Sequence, residues 1–232
     1  FAHRYRWILL LSASAVFYGA FIPSYLLIFV VIILIDYGAG ILIECSVGRR
    51  RKLFLLLSII SNLSLLGFFK YYNFFAENLT GLMQFLHWNY SLETLSIILP
   101  IGLSFHTFQA MSYTIEVYRG RQKAERHLGM YALFVMFFPQ LVAGPIERPQ
   151  NLLHQFYEKH FFDYPRVVSG LKLMLWGFFK KMVIADRAAL VVNTVYGSSA
   201  DFTGLPLIVA AVLFTFQIYY DFSGYTDIAR GS

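Results

Sequence analysis

Charge and cysteine are both scarce in this sequence. Only 14% of the 232 residues are charged, against about 25% in ordinary soluble domains, whereas 58% are hydrophobic. The single cysteine, Cys45, excludes an intrachain disulfide and a cysteine-based metal site, and we interpret it as a small apolar residue. The composition therefore predicts an all-α, polytopic integral membrane protein, and we expect no metal site.

Several common site motifs are also missing. The sequence has no P-loop, no His-Glu-x-x-His metal motif and no Gly-x-Ser-x-Gly nucleophile elbow. The formal net charge of +6 could suggest nucleic acid, but the Lys and Arg residues occur in short clusters between apolar runs. Such clusters are typical of loops between membrane helices, so we expect membrane lipids as partners and no nucleic acid.

Long apolar runs fill most of the chain. A transmembrane helix needs about 20 mostly apolar residues. Five runs reach or approach that length, and a sixth contains Lys172, Lys180 and Lys181. In chain order, these runs are about Trp7–Ile22, Tyr25–Ile43, Leu53–Phe75, Leu95–Val117, the lysine-containing Val167–Ala189, and Leu205–Tyr220. No repeat or linker separates them, so we predict a single membrane domain over residues 1–232.

Basic residues mark alternate ends of the predicted helices. Clusters occur near Arg4, at Arg49–Lys52 and at Arg119–Arg126. The stretch Ala76–Glu93 contains no Lys or Arg. Because Lys and Arg are enriched in cytoplasmic loops, we predict a cytoplasmic N-terminus and an outer loop that includes Asn78–Tyr90.

One apolar run is too short to cross the membrane. Met130–Val142 would form a helix of roughly 20 Å, against a hydrocarbon core of about 30 Å. Gly144, Pro145 and Pro149 follow it and disfavour helix. Irregular backbone persists at membrane depth only inside protein or beside a water-filled cavity, so we predict a re-entrant segment at about residues 130–149 beside a polar cavity. The alternative is a buried core helix and a surface loop in a soluble protein.

Polar residues inside the apolar runs are candidate site residues. His106 follows a helix break at Pro100 and Gly102 and lies at predicted membrane depth, where ionisable side chains are costly. It is either a functional group or a hydrogen-bonded packing residue, and we favour the second. Asp36 could pair with a neighbouring helix. The other five histidines lie near predicted interfaces and are not catalytic candidates.

The last apolar run carries a polar face. At about 100° per residue, its polar and small residues fall on one arc of roughly 160°. They are Gln217, Tyr220, Asp221, Gly224, Tyr225 and Asp227. Asp221 and Asp227 point in different directions, which favours hydrogen bonds to another helix over paired acid and base chemistry. Lys180 and Lys181 either extend toward anionic headgroups, which we favour, or reach an anionic substrate.

Three parts of the chain together carry a family resemblance. They are Leu99–Arg119, Phe137–Pro149, and Gly177–Arg187 together with Gln217–Ala229. These motifs resemble those of the membrane-bound O-acyltransferases, and the resemblance covers nearly all 232 residues. The chain is most similar to the bacterial branch that contains the membrane subunit of alginate O-acetyltransferase and the D-alanyl transferase of teichoic acids.

This resemblance implies an activity and a fold. Relatives transfer an acyl group from a thioester, acetyl-CoA or an acylated carrier protein, to hydroxyls of an exported polysaccharide, and no bound cofactor is implied. Their helices form a ring around a thin centre with a funnel on each side. We expect a multi-pass protein of the bacterial cytoplasmic membrane, with a periplasmic acetyltransferase as a partner in polysaccharide O-acetylation such as alginate biosynthesis.

The resemblance also assigns roles to residues. The family's catalytic histidine would lie beyond Ser232, and relatives often carry an aromatic residue at the position of His106. We therefore expect the chain to be part of a longer protein and inactive alone. The family-type residues are assigned to shaping the tunnel and supporting the substrate, and they are Gln140, Gly144, Pro145, Gln217, Asp221, Ser223, Gly224, Tyr225 and Asp227.

Two other functions remain open on the sequence. Polar breaks inside helices also occur along transport paths, so a transporter or channel is one alternative. Matching discontinuous helices in two halves of the chain would favour transport, and the sequence has no such internal symmetry. A non-catalytic scaffold subunit of a polysaccharide export complex is the other alternative.

Overall fold

The computed structural model describes residues 3–20, 23–88, 93, 95, 102–140 and 144–232. Within these ranges the chain forms helices, turns and loops, and no β-strand. The prediction of an all-α protein is confirmed. Contacts divide the chain into two compact units, the first comprising Phe1–Phe138 with Ile146–Glu158 and the second Pro139–Pro145 with Lys159–Ser232. The single membrane domain stays a prediction.

The first unit is built around three mutually packed helices. Its helices are α1 (Arg6–Gly19), α2 (Leu26–Cys45), α3 (Gly48–Phe85), α4 (Leu103–Tyr118), α5 (Leu128–Met136) and the short α6 (Pro149–Leu152). α2, α3 and α4 pack on one another, and α5 packs against α1, α2 and α4. Leu133 and Phe134 of α5 have no exposed surface. The core of the unit therefore lies where α2, α4 and α5 meet.

The second unit consists of one long helical run and a helix packed along it. The run comprises α7 (Tyr164–Phe178), a π-helical segment (Phe179–Ala185) and α8 (Asp186–Gly197), and the packed helix is α9 (Leu205–Gly231). Asp163 caps α7, since its Oδ1 accepts a hydrogen bond from the backbone N–H of Arg166 at 3.3 Å. The lysines of the sixth apolar run lie within this helical run, which continues through them from Tyr164 to Gly197.

Three helices among the described residues are long and apolar enough to cross a membrane: α2, α3 and α9. Many outward side chains of these helices are apolar; Ile60 is 56% exposed and Ile208 is 63% exposed. Such side chains suit contact with lipid. Together with the length of the three helices, they indicate a membrane protein. Candidate membrane helices therefore occur at the second, third and last predicted spans, and their insertion in a membrane stays a prediction. α1 and α4 are shorter, with 14 and 16 residues, and residues 96–101 of the fourth predicted span lie outside the described residues.

The third predicted helix was too short. We expected it to end at Phe75, with a loop over Ala76–Glu93, but α3 continues to Phe85 and has 38 residues. The added turns contain Ala, Glu, Leu, Met and Gln, which favour helix even where the segment is too polar for lipid. Hydropathy identifies the part of a helix that suits the membrane, whereas helix propensity extends beyond it.

The helix in the predicted re-entrant segment is shorter than its apolar run. The sequence predicts a helix over the apolar run Met130–Val142, but α5 ends at Met136 and a 3-10 turn follows at Phe138–Gln140. The nine residues of α5 span about 14 Å. Leu141, Val142 and Ala143 lie outside the described residues, and the return of the chain to the same membrane face stays a prediction.

The basic clusters meet at one end of the first unit. At the start of α3, Arg51 donates to the backbone oxygen of Val117 at 3.0 Å, near the end of α4. Arg126, just before α5, forms an ion pair with Glu44 at the end of α2. Trp7 at the start of α1 contacts His127 edge-on, with ring centroids 4.9 Å apart. The ends that the sequence assigns to the cytoplasm therefore share one end of this unit.

Candidate functional site

Two glycine pairs bring α9 into backbone contact with α7. A Cβ atom placed on Gly177 would lie 2.6 Å from the carbonyl oxygen of Gly224, and one on Gly170 would lie 2.5 Å from that of Gly231. Any larger residue would separate the helices at these points. Small residues at such positions let membrane helices approach closely. Gly170, the earlier glycine of α7, contacts Gly231, the later glycine of α9, which shows that the two helices are antiparallel.

Lys180 connects the π-helical segment to α9 beside the Gly177–Gly224 contact. Its Nζ donates to Oδ2 of Asp227 at 2.6 Å and to Oγ of Ser223 at 2.9 Å. The Lys180 and Asp227 side chains are only 14% and 13% exposed. Removing two charges from water is costly, and here their mutual attraction and the added hydroxyl contact offset that cost.

Lys181 makes a second connection to the same helix. Its Nζ lies 2.5 Å from Oδ1 of Asp221 and 2.7 Å from Oδ1 of Asp186, the first residue of α8. Its Nζ also lies 5.6 Å from the ring centroid of Tyr225. A π-helical turn has more residues than an α-helical turn, so consecutive side chains diverge less in direction. Two adjacent lysines can therefore both reach α9.

We call Lys180, Lys181, Asp221, Ser223 and Asp227 the lysine–aspartate seam. The expectation that the polar face of α9 hydrogen-bonds to another helix is confirmed by these contacts. The preference for lysines that extend toward anionic headgroups is wrong for Lys180, because a carboxylate within 2.6 Å holds its ammonium group inside the unit. Since each aspartate is paired with an ammonium group, neither is placed as a free general base.

Gln217 lies on α9 one turn before the seam. Its Oε1 is buried and has no hydrogen-bond partner among the described residues. A buried acceptor without a donor costs free energy, so the position suits a donor group from a substrate or from another part of the protein. Its assignment to substrate support stays a prediction.

Gly144 and Gln140 lie in close backbone contact in the second unit. The N–H of Gly144 donates to the backbone oxygen of Gln140 at 3.1 Å. A Cβ atom on Gly144 would lie 2.5 Å from the Cα atom of Gln140, so this contact requires glycine. Pro145 follows directly and has no backbone donor. The contribution of these three residues to a tunnel stays a prediction.

His106 is buried in the first unit. It is 3% exposed, its Nδ1 lies 2.7 Å from the backbone oxygen of Val135, and its ring meets that of Phe29 edge-on at 4.5 Å. A carbonyl oxygen only accepts, so Nδ1 carries the proton. Nε2 has no hydrogen-bond partner within the described part of the chain. The burial and the hydrogen bond agree with the interpretation of His106 as a packing residue, and whether it also has a functional role stays open.

A polar cluster joins three helices of the first unit around Asp36. Asp36 is fully buried in α2 and accepts hydrogen bonds from Ser58 at 2.5 Å and from Asn62 at 2.8 and 3.0 Å, both on α3. The Ser58 hydroxyl also lies 3.2 Å from that of Thr114 on α4. The expectation that Asp36 pairs with a neighbouring helix is confirmed.

Several contributors to these sites were missed from the sequence. They are Gly170, Gly177, Asp186, Gly231, Ser58, Asn62 and Thr114. A signal existed for some of them, because Gly170 and Gly177 are seven residues apart, as are Gly224 and Gly231, and Ser58 and Asn62 are four apart within an apolar run. No pattern indicated the π-helical segment. Among the described residues, no group of three His, Cys, Asp or Glu side chains could hold a metal ion.

Comparison with known proteins gives the family. No protein-family model matches the chain. It is 37% identical to the probable alginate O-acetylase AlgI of Pseudomonas putida over 98% of this chain and 47% of that protein. It is 34% identical to the peptidoglycan O-acetyltransferase of Helicobacter pylori over 96% of this chain and 46% of that protein. A weaker similarity, 27% over 59% of this chain and 34% of that protein, relates it to the teichoic acid D-alanyltransferase of Streptococcus thermophilus.

The chain spans about half the length of the alginate O-acetylase and of the peptidoglycan O-acetyltransferase that it matches. Within this chain, the similarity extends over nearly every residue and includes all three regions that carry the resemblance. The apolar helices agree with the membrane location that the motifs imply. The chain therefore belongs to the membrane-bound O-acyltransferase family.

Proposed function

We propose that the whole protein is an O-acyltransferase that moves an acyl group, most simply acetyl, from a thioester to hydroxyls of an exported polysaccharide. The similarity over 98% of this chain to proteins named O-acetylases carries this proposal. Those relatives include proteins named for alginate and for peptidoglycan, and both polymers offer sugar hydroxyls. The proposed acceptor class is therefore a polysaccharide outside the cytoplasmic membrane.

The proposed reaction is a single acyl transfer. The acceptor hydroxyl oxygen attacks the thioester carbonyl carbon, the new C–O bond forms, the C–S bond breaks, and the thiol leaves with a proton. A general base takes the hydroxyl proton during attack, and hydrogen-bond donors stabilise the negative oxygen of the intermediate. We place the base, a histidine, in the part of the protein that this chain does not span.

The residues of this chain support that reaction. In our proposal the helices form part of a ring around a thin centre, with the segment at about residues 130–149 re-entrant beside a tunnel. The lysine–aspartate seam holds α9 rigidly against the π-helical segment, which supports a fixed position for Gln217 and Tyr225. We assign Gln140, Gly144 and Pro145 to shaping the same tunnel. The proton transfer is assigned to none of these residues.

The proposed location is the bacterial cytoplasmic membrane with the N-terminus inside. The meeting of the basic clusters at one end of the first unit supports this orientation. The donor, acetyl-CoA or an acylated carrier protein, would then approach from the cytoplasmic end. The polymer, together with a periplasmic acetyltransferase partner, would lie on the other side.

Acetyl transfer by the purified full-length protein tests the proposal. The protein is reconstituted in nanodiscs with radiolabelled acetyl-CoA, or with an acetylated carrier protein, and an oligosaccharide acceptor. We expect label in the oligosaccharide together with release of one thiol per ester formed. No ester from either donor, with the protein folded and the polymer still exported in cells, would contradict the enzyme and favour the scaffold function. Movement of label across sealed vesicles without ester formation would favour a transporter.

A further inference from the structure

A cavity of about 630 Å³ lies at the start of α1, in the first unit. Its lining includes Arg4 and the rings of Tyr5, Trp7, His127 and Tyr157, and none of the described residues that line it is acidic. Trp7 is the first residue of the first predicted membrane span, which places the cavity at the level of the lipid headgroups. Tryptophan and tyrosine are enriched at this level because they combine an apolar ring with a polar group.

An apolar strip of α1 runs away from the cavity. Ile8 lines the cavity and is 43% exposed, and Val16, two turns further along α1, is 73% exposed. Ser12 lies between them and is exposed and small. The three residues are four positions apart and share one face of the helix, over about 12 Å. A hydrocarbon chain fits along this strip, whereas a small soluble anion would leave it uncovered.

Two of the ring walls are held in place by the fold. The Trp7 ring packs so closely on Gly129 that a Cβ atom on that glycine would overlap it. His127 meets Trp7 edge-on at 4.9 Å and caps α5, since its Nδ1 accepts from the N–H of Met130 at 3.2 Å. A neutral His127 therefore carries its proton on Nε2 and keeps a donor beyond the cap. These walls are preorganised, which lowers the entropy cost of binding a ligand.

Tyr157 forms a third fixed wall. Its hydroxyl donates to Oε1 of Glu125 at 2.8 Å. The guanidinium group of Arg6 donates to the backbone oxygen of Gln155 at 3.3 Å, which joins the segment before Tyr157 to the start of α1. Arg4 is exposed and has no carboxylate partner within the described part of the chain. Its charge is therefore available to an anion.

We propose that this cavity binds the headgroup of one anionic phospholipid, with the phosphate on the Arg4 guanidinium and an acyl chain along the strip from Ile8 to Val16. Arginine matches phosphate geometry, and basic pockets at the cytoplasmic side of membrane helices suit anionic headgroups. The ring walls and the apolar strip favour a whole lipid over a free phosphate. The site goes beyond acyl transfer and does not depend on it.

Native mass spectrometry of the full-length protein in an uncharged detergent tests this site, with phosphatidylglycerol and phosphatidylcholine of the same acyl chains as probes. The wild type should bind one phosphatidylglycerol about five- to tenfold more tightly than phosphatidylcholine, because only the first lipid has a net negative charge. Arg4→Gln should remove most of this preference, and because Arg4 is exposed the variant should keep the wild-type unfolding midpoint. Arg50→Gln is the matched control, since it removes an exposed charge that does not line the cavity and should change affinity less than about twofold.

Fluorescence quenching of Trp7 locates the bound lipid. Phosphatidylglycerol brominated on its acyl chains should quench the protein more than brominated phosphatidylcholine at the same mole fraction. The difference should disappear in Trp7→Phe, which keeps an aromatic ring against Gly129. Equal quenching of the wild type by the two lipids would show that Trp7 meets only bulk lipid and would overturn the site.

Three other outcomes would also overturn the lipid site. The first is equal affinity of the wild type for the two lipids. The second is equal weakening by Arg4→Gln and Arg50→Gln, which would indicate general electrostatic attraction. The third is displacement of phosphatidylglycerol by an equal concentration of sn-glycerol 3-phosphate, which would identify a site for a free phosphate. None of these results bears on acetyl transfer, so the acyltransferase would remain standing.

Discussion

Gly177 and Gly224 lie in backbone contact, so that a Cβ atom on Gly224 would lie 2.9 Å from the carbonyl oxygen of Gly177. This contact sets the distance between α9 and the end of α7, directly before the π-helical segment. At that distance Lys180 forms an ion pair with Asp227, and Lys181 forms one with Asp221. The glycine pair and the two ion pairs are therefore mutually dependent: close backbones allow the pairs, and the pairs hold the backbones close.

Gly177→Ala should destabilise the second unit. The added methyl group meets the backbone of Gly224, which cannot rotate away, and such overpacking costs about 1–3 kcal/mol. We expect a lower midpoint of thermal unfolding for the full-length protein in detergent. Gly197→Ala is the matched control, because a Cβ atom there has no neighbour within 4 Å. Equal stability of Gly177→Ala and Gly197→Ala would show that the helices do not need this approach.

Breaking the Lys180–Asp227 pair from one side should cost more than removing it entirely. Asp227→Ala leaves the Lys180 ammonium group uncompensated at 14% exposure, a loss of about 3–5 kcal/mol for a buried pair. The double variant Lys180→Met with Asp227→Leu replaces the pair with apolar side chains and should recover much of that stability. Thermal unfolding in detergent measures both.

The control for this pair is Asp201→Ala, which removes an exposed carboxylate from the turn before α9. It should leave the unfolding midpoint near wild type. A double variant less stable than Asp227→Ala would contradict this prediction and would mean that apolar side chains cannot replace the pair at this contact.

Asp36→Ala should destabilise the first unit. The change removes the carboxylate that accepts from the Ser58 hydroxyl and the Asn62 amide, which are 0% and 2% exposed. Ser58 keeps Thr114 and Asn62 keeps the backbone oxygen of Ser58, so we expect a loss of about 1–3 kcal/mol in all. Glu77→Ala, on the exposed surface of α3, is the control. Hydrogen exchange in α2 and α3 should accelerate only in Asp36→Ala. Unchanged exchange would show that water replaces the lost carboxylate.

The sequence predicted the apolar helices and the polar face of α9, because hydropathy and helical periodicity determine both. The polar face of α9 at 100° per residue correctly placed Asp221 and Asp227 toward another helix, because burying such groups requires partners. The weakness was at element ends. Hydropathy ended α3 at Phe75, although good helix formers continue it to Phe85, and it extended the helix at Met130 past Met136.

The sequence did not predict which side chains pair with one another across the helices. Lys180 has an apolar stem that suits extension to the interface, and only the closeness of Gly177 to Gly224 brings Asp227 within reach. The polar cluster around Asp36 combines residues 36, 58, 62 and 114, from three helices, and no local pattern relates all four. Such sites depend on long-range packing, and one sequence alone carries no signal for it.

The orientation of the chain yields the last prediction. The pairs Arg51–Val117 and Arg126–Glu44 gather the basic clusters at one end of the first unit. We expect that end in the cytoplasm, where Lys and Arg accumulate, and the far end of α3 outside. After Cys45→Ser, a cysteine at Asn89 should react with a membrane-impermeant maleimide in cells whose outer barrier is opened but whose cytoplasmic membrane is sealed. Asn89 lies outside the described residues, so its selection rests on the outer loop predicted from the sequence.

A cysteine at Val47 is the matched probe for the opposite side. Val47 is 86% exposed between α2 and α3, beside the basic cluster that begins at Arg49. It should react only after the cytoplasmic membrane is permeabilised, because the 38-residue α3 separates it from Asn89. Reaction of Val47→Cys in sealed cells, with protection of Asn89→Cys, would invert the protein. The end of the first unit where the basic clusters meet would then face away from the cytoplasm, and the proposed approach of the donor from that end would be wrong.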